Sequence, residues 1–135
     1  MSNITQVVNT DKYLKTLKKG VHASDLDQLL SSRGPFTFFA PSDHAFEKLE
    51  KGAMDHLLET KNKLKLTDLL KNHIVEGAFP FKNLKDGDKL KTLGGNVLKV
   101  EVKNGAVSID GAVILGRDAR ITNGVMHTTD TVFVK

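Results

Sequence analysis

No cysteine and no tryptophan occur among the 135 residues, tyrosine appears once, at Tyr13, and proline only three times. Without cysteine there is no disulfide framework, no thiol nucleophile and no thiolate metal site. That absence fits any compartment, because a chain of this length can bury enough core to stand without staples. Long apolar runs are missing too. The stretch AVIL at 112–115 is typical, far below the roughly 20 residues a membrane span needs. The opening MSNITQVVNTDKYL has no basic segment followed by an apolar run, so it does not read as a secretory leader.

Arginine is scarce: only Arg33, Arg117 and Arg120 among 20 basic residues, the rest lysine, for a formal net charge of +4. Nucleic-acid readers rely on arginine forks and aromatic stacking, so this composition argues against specific nucleic-acid binding. It leaves a salt-sensitive attraction to polyanions, with KTLKKG and KNKLKL as basic helical patches. No HxH, HxxxH or HExxH occurs, and His44 with Glu47 is a weak local pair, so no metal site is expected. Gly94-Gly95-Asn96 leads into a strand rather than a helix, which removes the phosphate-cradle reading and any expected cofactor with it.

What is present reads as one globular domain, with 39% apolar and 27% charged residues. Helical spacing comes first. Tyr13, Leu14, Leu17 and Val21 recur at three- and four-residue steps from Thr10 or Asp11, and Ser24 is placed to cap a second helix burying Leu26, Leu29 and Leu30. The stretch FTFFA, residues 36–40, alternates too little for a half-exposed strand and reads as an isolated strand buried on both faces. Three further helical stripes follow: Ala45, Phe46 and Leu49; Met54, Leu57 and Leu58; Leu64, Leu66, Leu69, Leu70 and Ile74. From Asp88 the period is two, with Leu98, Val100 and Val102 opposite Lys99, Glu101 and Lys103. Asn104-Gly105 and Asp110-Gly111 are tight-turn signals between the strands of a meander that runs through Asn123-Gly124 to the chain end. The fold class is α+β.

Ser42, Asp43 and His44 invite a catalytic reading. Successive side chains on a helix diverge by about 100°, however, so neighbours in sequence do not form a triad. A relay from Ser42 to His73 or His127, or a carboxylate pair of Asp43 with Asp130, are the enzymatic alternatives. The structural reading accounts for each residue: Pro41 stops strand pairing, Ser42 caps the next helix, Asp43 suits its positive end and Phe46 anchors it. No catalytic residue is assigned.

This joint carries a resemblance. Thr37-Phe38-Phe39-Ala40-Pro41-Ser42-Asp43-His44-Ala45-Phe46 resembles the first signature of the fasciclin domain, T-x-F-A-P-[ST]-[DN]-x-A-F. The run from Asn123 through Gly124, Val125, His127 and Asp130 to Val132 is similar to its second, N-G-x-[IV]-H-x-[IV]-D-x-V, and LLKNHIVEGAF resembles the central L-x-x-H-[IV]-[VL]-x-G segment. With three blocks in order, the chain is identified as a member, one fasciclin domain over 1–135 of the microbial single-domain kind.

The resemblance implies an N-terminal helical layer packed on a β-wedge or sandwich of mostly antiparallel strands, with the two signatures as adjacent central strands. It implies a non-enzymatic adhesion or interaction module that binds a protein or glycan at the cell surface or in a matrix, with homophilic association as a variant and no membrane insertion. A lysine-driven binder of polyanions or acidic polysaccharide is the alternative. A secreted, periplasmic or cell-surface location follows from the family, while the lack of a leader leaves the cytoplasm open. Thr37, Phe39, Ala40, Pro41, Ser42, Asp43, Phe46, Gly124, Val125, His127 and Asp130 are marked as structural signature residues. Asn72 and His73 are marked as a partner contact. Many members have Tyr-His there, so Asn72 argues against an animal-type integrin role. The competing role for His73 and His127 is to tie helices to strands by hydrogen bonds. Thr129 stands where an aliphatic residue is usual, and needs a partner for its hydroxyl if it points inward.

Overall fold

The computed structural model describes residues 3–49 and 51–133, and of residues 116–120 the backbone alone. The helical layer holds α1 (Ile4–Thr10), α2 (Lys15–Ala23), α3 (Asp27–Ser31), α4 (Asp43–Glu47), α5 (Ala53–Leu58) and α6 (Lys63–Lys71). The strands are β1 (Phe36–Pro41), β2 (Ile74–Glu76), β3 (Lys89–Lys91), β4 (Val97–Lys103), β5 (Ala106–Ile109), β6 (Ala112–Ile121) and β7 (Gly124–Thr129). They form one sheet in the order β2-β1-β7-β6-β5-β4-β3. Among the described residues only β1 and β7 run parallel; the other paired strands are antiparallel. The sheet curves until its two end strands touch through a bridge from Val75 to Thr92. This is the expected α+β wedge, with both signatures side by side as expected. They are, however, the second and third strands of the order, beside the end strand β2, rather than its centre.

β1 explains why FTFFA shows so little alternation. Its whole length is buried. Phe36, Phe38 and Ala40 enter the core beneath the helices, with Leu17, Val21, Leu66 and Leu70, whereas Phe39 enters a second core inside the curved sheet, with Leu98, Val100 and Ile109. A strand dividing two cores needs apolar side chains on both faces. Alone in sequence between α3 and α4, it pairs with β2 on one side and β7 on the other. The two tight turns are as expected: Asn104 and Gly105 have φ of 52° and 80°, Asp110 and Gly111 of 50° and 86°.

Several local expectations are corrected. A helix from Ile4 to Thr10 precedes the predicted first one, and its signal lay in Asn3 and Gln6, which exchange capping-box hydrogen bonds. Ser24 ends α2 rather than starting α3, and its hydroxyl donates back to the Val21 carbonyl at 3.1 Å. Tyr13 and Leu64 are 64% and 80% exposed. Tyr13 precedes α2 and so falls outside its phase. Leu64 lies two residues before the buried Leu66, which turns it roughly 200° around the helix. Ile74 begins β2 instead of ending α6, because Asn72 closes that helix. Pro41 occupies the last rung of β1, opposite Thr129, and pairing stops one residue later than expected.

Candidate functional site

The two signature segments meet rung by rung. Thr37 pairs with Val125, Phe39 with His127 and Pro41 with Thr129. At the end of this ladder Ser42 accepts from the Ala45 N–H at 3.2 Å, capping α4. Asp43 does more than suit the helix end. Its Oδ1 accepts from the Thr16 N–H at 2.8 Å, while its own N–H donates to the Tyr13 carbonyl at 2.9 Å. α2 needs this help, because Leu14 stands at its N-cap without a side-chain acceptor. One carboxylate therefore fastens the start of α2 to the start of α4. Asp43→Ala is expected to lower unfolding free energy by about 1–2 kcal/mol, with Asp43→Asn keeping most of it, as read by urea titration.

Asp130 is separately engaged. Its Oδ1 accepts from the Val113 N–H at 2.8 Å and the Thr131 hydroxyl at 3.0 Å, and Lys48 Nζ stands 3.5 Å from Oδ2. Partial burial pushes its pKa up, but these donors and the lysine charge outweigh that and hold it below the usual carboxylate range. Each aspartate accepts from a backbone amide in a different place, as a cap or turn carboxylate does. Thr129 is fully buried and donates to the Thr131 carbonyl at 3.1 Å, the partner its hydroxyl requires.

His73 and His127 sit inside the molecule. His73 is fully buried, Nδ1 is 2.9 Å from the Leu69 carbonyl, and Nε2 accepts from the Phe133 N–H at 3.0 Å. Those partners fix the neutral tautomer with the proton on Nδ1. Burial lowers the His73 pKa to about 4, against a smaller upward pull from the Leu69 carbonyl. His73 stacks on Phe133 at 4.6 Å, Phe133 meets Phe39 edge-on at 6.2 Å, and Phe39 stacks with His127 at 5.6 Å. His127 Nε2 lies 2.8 Å from the Phe79 carbonyl. His73 thus joins α6 to Phe133, and His127 joins β7 to the segment after β2.

The expectation of a partner contact at Asn72 and His73 is therefore corrected, since both side chains are buried, at 4% and 0% exposure. Asn72 Oδ1 accepts from Asn96 Nδ2 at 2.8 Å and the Thr92 hydroxyl at 3.3 Å, clasping the β3–β4 turn to the end of α6. Gly94 permits the approach: a Cβ there would lie 2.1 Å from that oxygen. The missing tyrosine of the central segment is replaced by an internal polar clasp.

A second polar knot escaped sequence reading. Asn123 accepts from the Ile4 N–H at 3.1 Å and donates to the carbonyls of Leu30 and Ser32 at 2.7 and 2.8 Å. It ties α1, α3 and the entry to β1 to the turn before β7. Two of the surface concavities among the described residues adjoin the signature strands or the β2–β3 seam. A cleft of about 370 Å³ beside the signature joint is lined by Tyr13, His44, Leu115 and Thr128, and a groove of about 870 Å³ follows the β2–β3 seam. No group of side chains suited to holding a metal ion occurs among the described residues.

The family model of the fasciclin domain matches residues 12–135. The chain belongs to the fasciclin-domain family. Protein sll1483 of Synechocystis is 36% identical over 131 residues, covering 97% of this fasciclin chain and 72% of its own length. The pig transforming growth factor-beta-induced protein ig-h3 is 34% identical, and this chain spans 98% of itself but only 19% of that protein. A solved fasciclin-domain pair from the insect cell adhesion molecule Fasciclin I superposes with a TM-score of 0.88 at 19% identity, over 99% of this chain and 51% of that one. At that identity the likeness establishes the shared fold. No described helix of this fasciclin domain is long and apolar enough to cross a membrane.

Proposed function

We propose that this fasciclin domain is a non-enzymatic adhesion module that binds a protein or glycan at a cell surface or in a matrix. Its structural neighbour comes from an insect cell adhesion molecule. The observation that carries the reading is how its reactive side chains are spent. Ser42 caps a helix, both ring nitrogens of His73 are engaged, and the signature aspartates hold backbone amides. Large apolar side chains stand outside instead: Tyr13 is 64% exposed and Leu115 57%. An exposed tyrosine is the kind of anchor a binding surface uses.

The test is binding of the purified chain to cell-envelope glycans, sulfated polysaccharides and matrix proteins at low and high salt. Saturable binding to one of them supports the module. Binding to none, together with labelling of Ser42 by a serine-reactive phosphonate, would replace it with a hydrolase.

A further inference from the structure

The lysine excess is balanced unevenly over the molecule. On the helical side Lys61 lies 3.4 Å from Glu59, Lys63 pairs with Asp25, and Lys48 pairs with Asp130. The helical patch KNKLKL is thus partly neutralised. Around β3 and β4 the carboxylates serve the backbone: Asp88 accepts from the Lys85 N–H at 3.0 Å, Asp86 from the Val102 N–H at 3.0 Å, and Asp110 from the Lys99 N–H at 2.8 Å. Lys89, Lys91 and Lys99 make no ion pair among the described residues.

Strand register gathers these three into one group. Lys89 stands directly opposite Lys99, and Lys91 is two residues along the same strand. All three are exposed, while Leu90 and Leu98 between them are buried. Like charges directly opposite on a sheet face destabilise it. Glu101, two residues beyond Lys99, is the acidic residue on that face of β4, so the net charge there stays positive.

Beside this row runs the groove of about 870 Å³, with Lys89 and Lys91 in its walls together with Glu76, Phe79 and Asp88. It follows the seam where β2 and β3 meet through the single bridge from Val75 to Thr92. Phe79 is fixed at both backbone ends: its N–H donates to the Thr37 hydroxyl at 2.9 Å, and its carbonyl meets His127 Nε2. Two signature residues therefore hold an aromatic residue in the groove wall.

We propose that this groove and the adjoining lysine row bind a linear anionic polysaccharide. Lys89, Lys91 and Lys99 take its acidic groups, Phe79 faces a sugar ring, and Glu76 and Asp88 accept sugar hydroxyls. The proposal rests on the adhesion reading and names the ligand chemistry within it. Mixed charge selects against nucleic acid, since two carboxylates in the groove oppose a continuous phosphate chain, and one aromatic ring offers no stacking platform for successive bases.

The test titrates the intact chain with polygalacturonate, dextran sulfate, neutral dextran and single-stranded DNA across a salt series. The triple variant Lys89→Gln/Lys91→Gln/Lys99→Gln is compared with Lys15→Gln/Lys18→Gln/Lys19→Gln on α2, which removes the same charge elsewhere. Thermal unfolding of both checks that they fold. An anionic polysaccharide binds and neutral dextran does not. The strand variant loses about tenfold or more in affinity and about two to three from the log–log salt slope, while the helix variant changes by less than about twofold. Preference for polygalacturonate identifies a carboxylated ligand, and preference for dextran sulfate a sulfated one.

Equal losses in both variants would overturn the proposal, because binding would then follow net charge. Tighter binding of DNA, or equal binding of neutral dextran, would overturn it as well. If no polysaccharide binds but a matrix protein does, the groove assignment falls while the adhesion module stands.

Discussion

Gly124→Ala is expected to cost about 4–5 kcal/mol of stability, enough to leave little folded protein, because the substitution strikes the joint between the two signatures. Gly124 pairs with Phe36 at the first rung of the parallel ladder. A Cβ on it would stand 1.8 Å from the Phe36 carbonyl oxygen and 2.7 Å from the Phe36 nitrogen. No flexible side chain is available to move aside, because every blocking atom is backbone. The φ of 154° adds strain for any L side chain. The neighbourhood cannot yield locally either. The Phe36 N–H donates to the Asn123 carbonyl at 2.9 Å, and the Asn123 side chain holds α1 and α3. Moving β1 away from β7 would open both cores. Expression, circular dichroism and urea unfolding of the variant provide the measurement. A folded Gly124→Ala protein within about 1 kcal/mol of wild type would show that the ladder tolerates displacement at its first rung.

The contrast with Gly52 shows why only some glycines behave this way. Gly52 has a φ of 82° with nothing within 4 Å of an added Cβ, so its requirement is conformational and local. At Gly124 the requirement is tertiary, and a sequence alone shows only that a glycine is there. The same division runs through the rest of the molecule. Period-two alternation in β4 and the turns at Asn104-Gly105 and Asp110-Gly111 are local physics, and they were legible. The helical layer was legible where apolar spacing was strong, as with Leu17 and Val21. It failed where a helix began or ended: at Ile4, at Ser24 and at Ile74. The cap before Ile4 is the local Asn3–Gln6 box and Asn72 closes α6 before Ile74, signals that apolar spacing does not show. The start of α2, by contrast, depends on Asp43, 27 residues away.

The candidate site was legible as motif and misread as surface. Asn72 and His73 gave no local sign of burial, because polar residues become internal only when the chain brings them partners. Asn72 found Asn96 and Thr92, while His73 found Leu69 and Phe133. The reverse holds for the lysine row. Alternation had already put Lys99 on the outer face, yet only the pairing of β3 with β4 placed it opposite Lys89. Tyr13 and Leu115 met at one cleft for the same reason, although they lie far apart in sequence.

Acid should weaken this fold through His73 before it reaches the carboxylates. In the unfolded chain a histidine titrates near 6.5, and in the folded chain burial brings His73 down to about 4. The folded state therefore binds the proton less readily than the unfolded one. Stability from the neutral ring is fully present above about pH 6.5 and is lost as pH falls towards 4. The loss across that window is roughly 3 kcal/mol, a substantial share of a small domain's total. The geometry gives the same sign. A proton added to Nε2 would face the Phe133 N–H, setting donor against donor where an acceptor now sits 3.0 Å away. Phe133 and its edge-on contact with Phe39 would loosen first. Asp130 acts later: its depressed pKa places its loss below the ordinary carboxylate value of 3.8, after His73 has titrated. Urea unfolding from pH 7.5 to 4 should show the wild-type free energy falling most steeply below pH 6.5. His73→Gln keeps a polar group near Phe133 without titrating, so it should be weaker at neutral pH and nearly flat across the same window. If the variant keeps the full wild-type slope, the acid sensitivity arises elsewhere and His73 is only a packing residue.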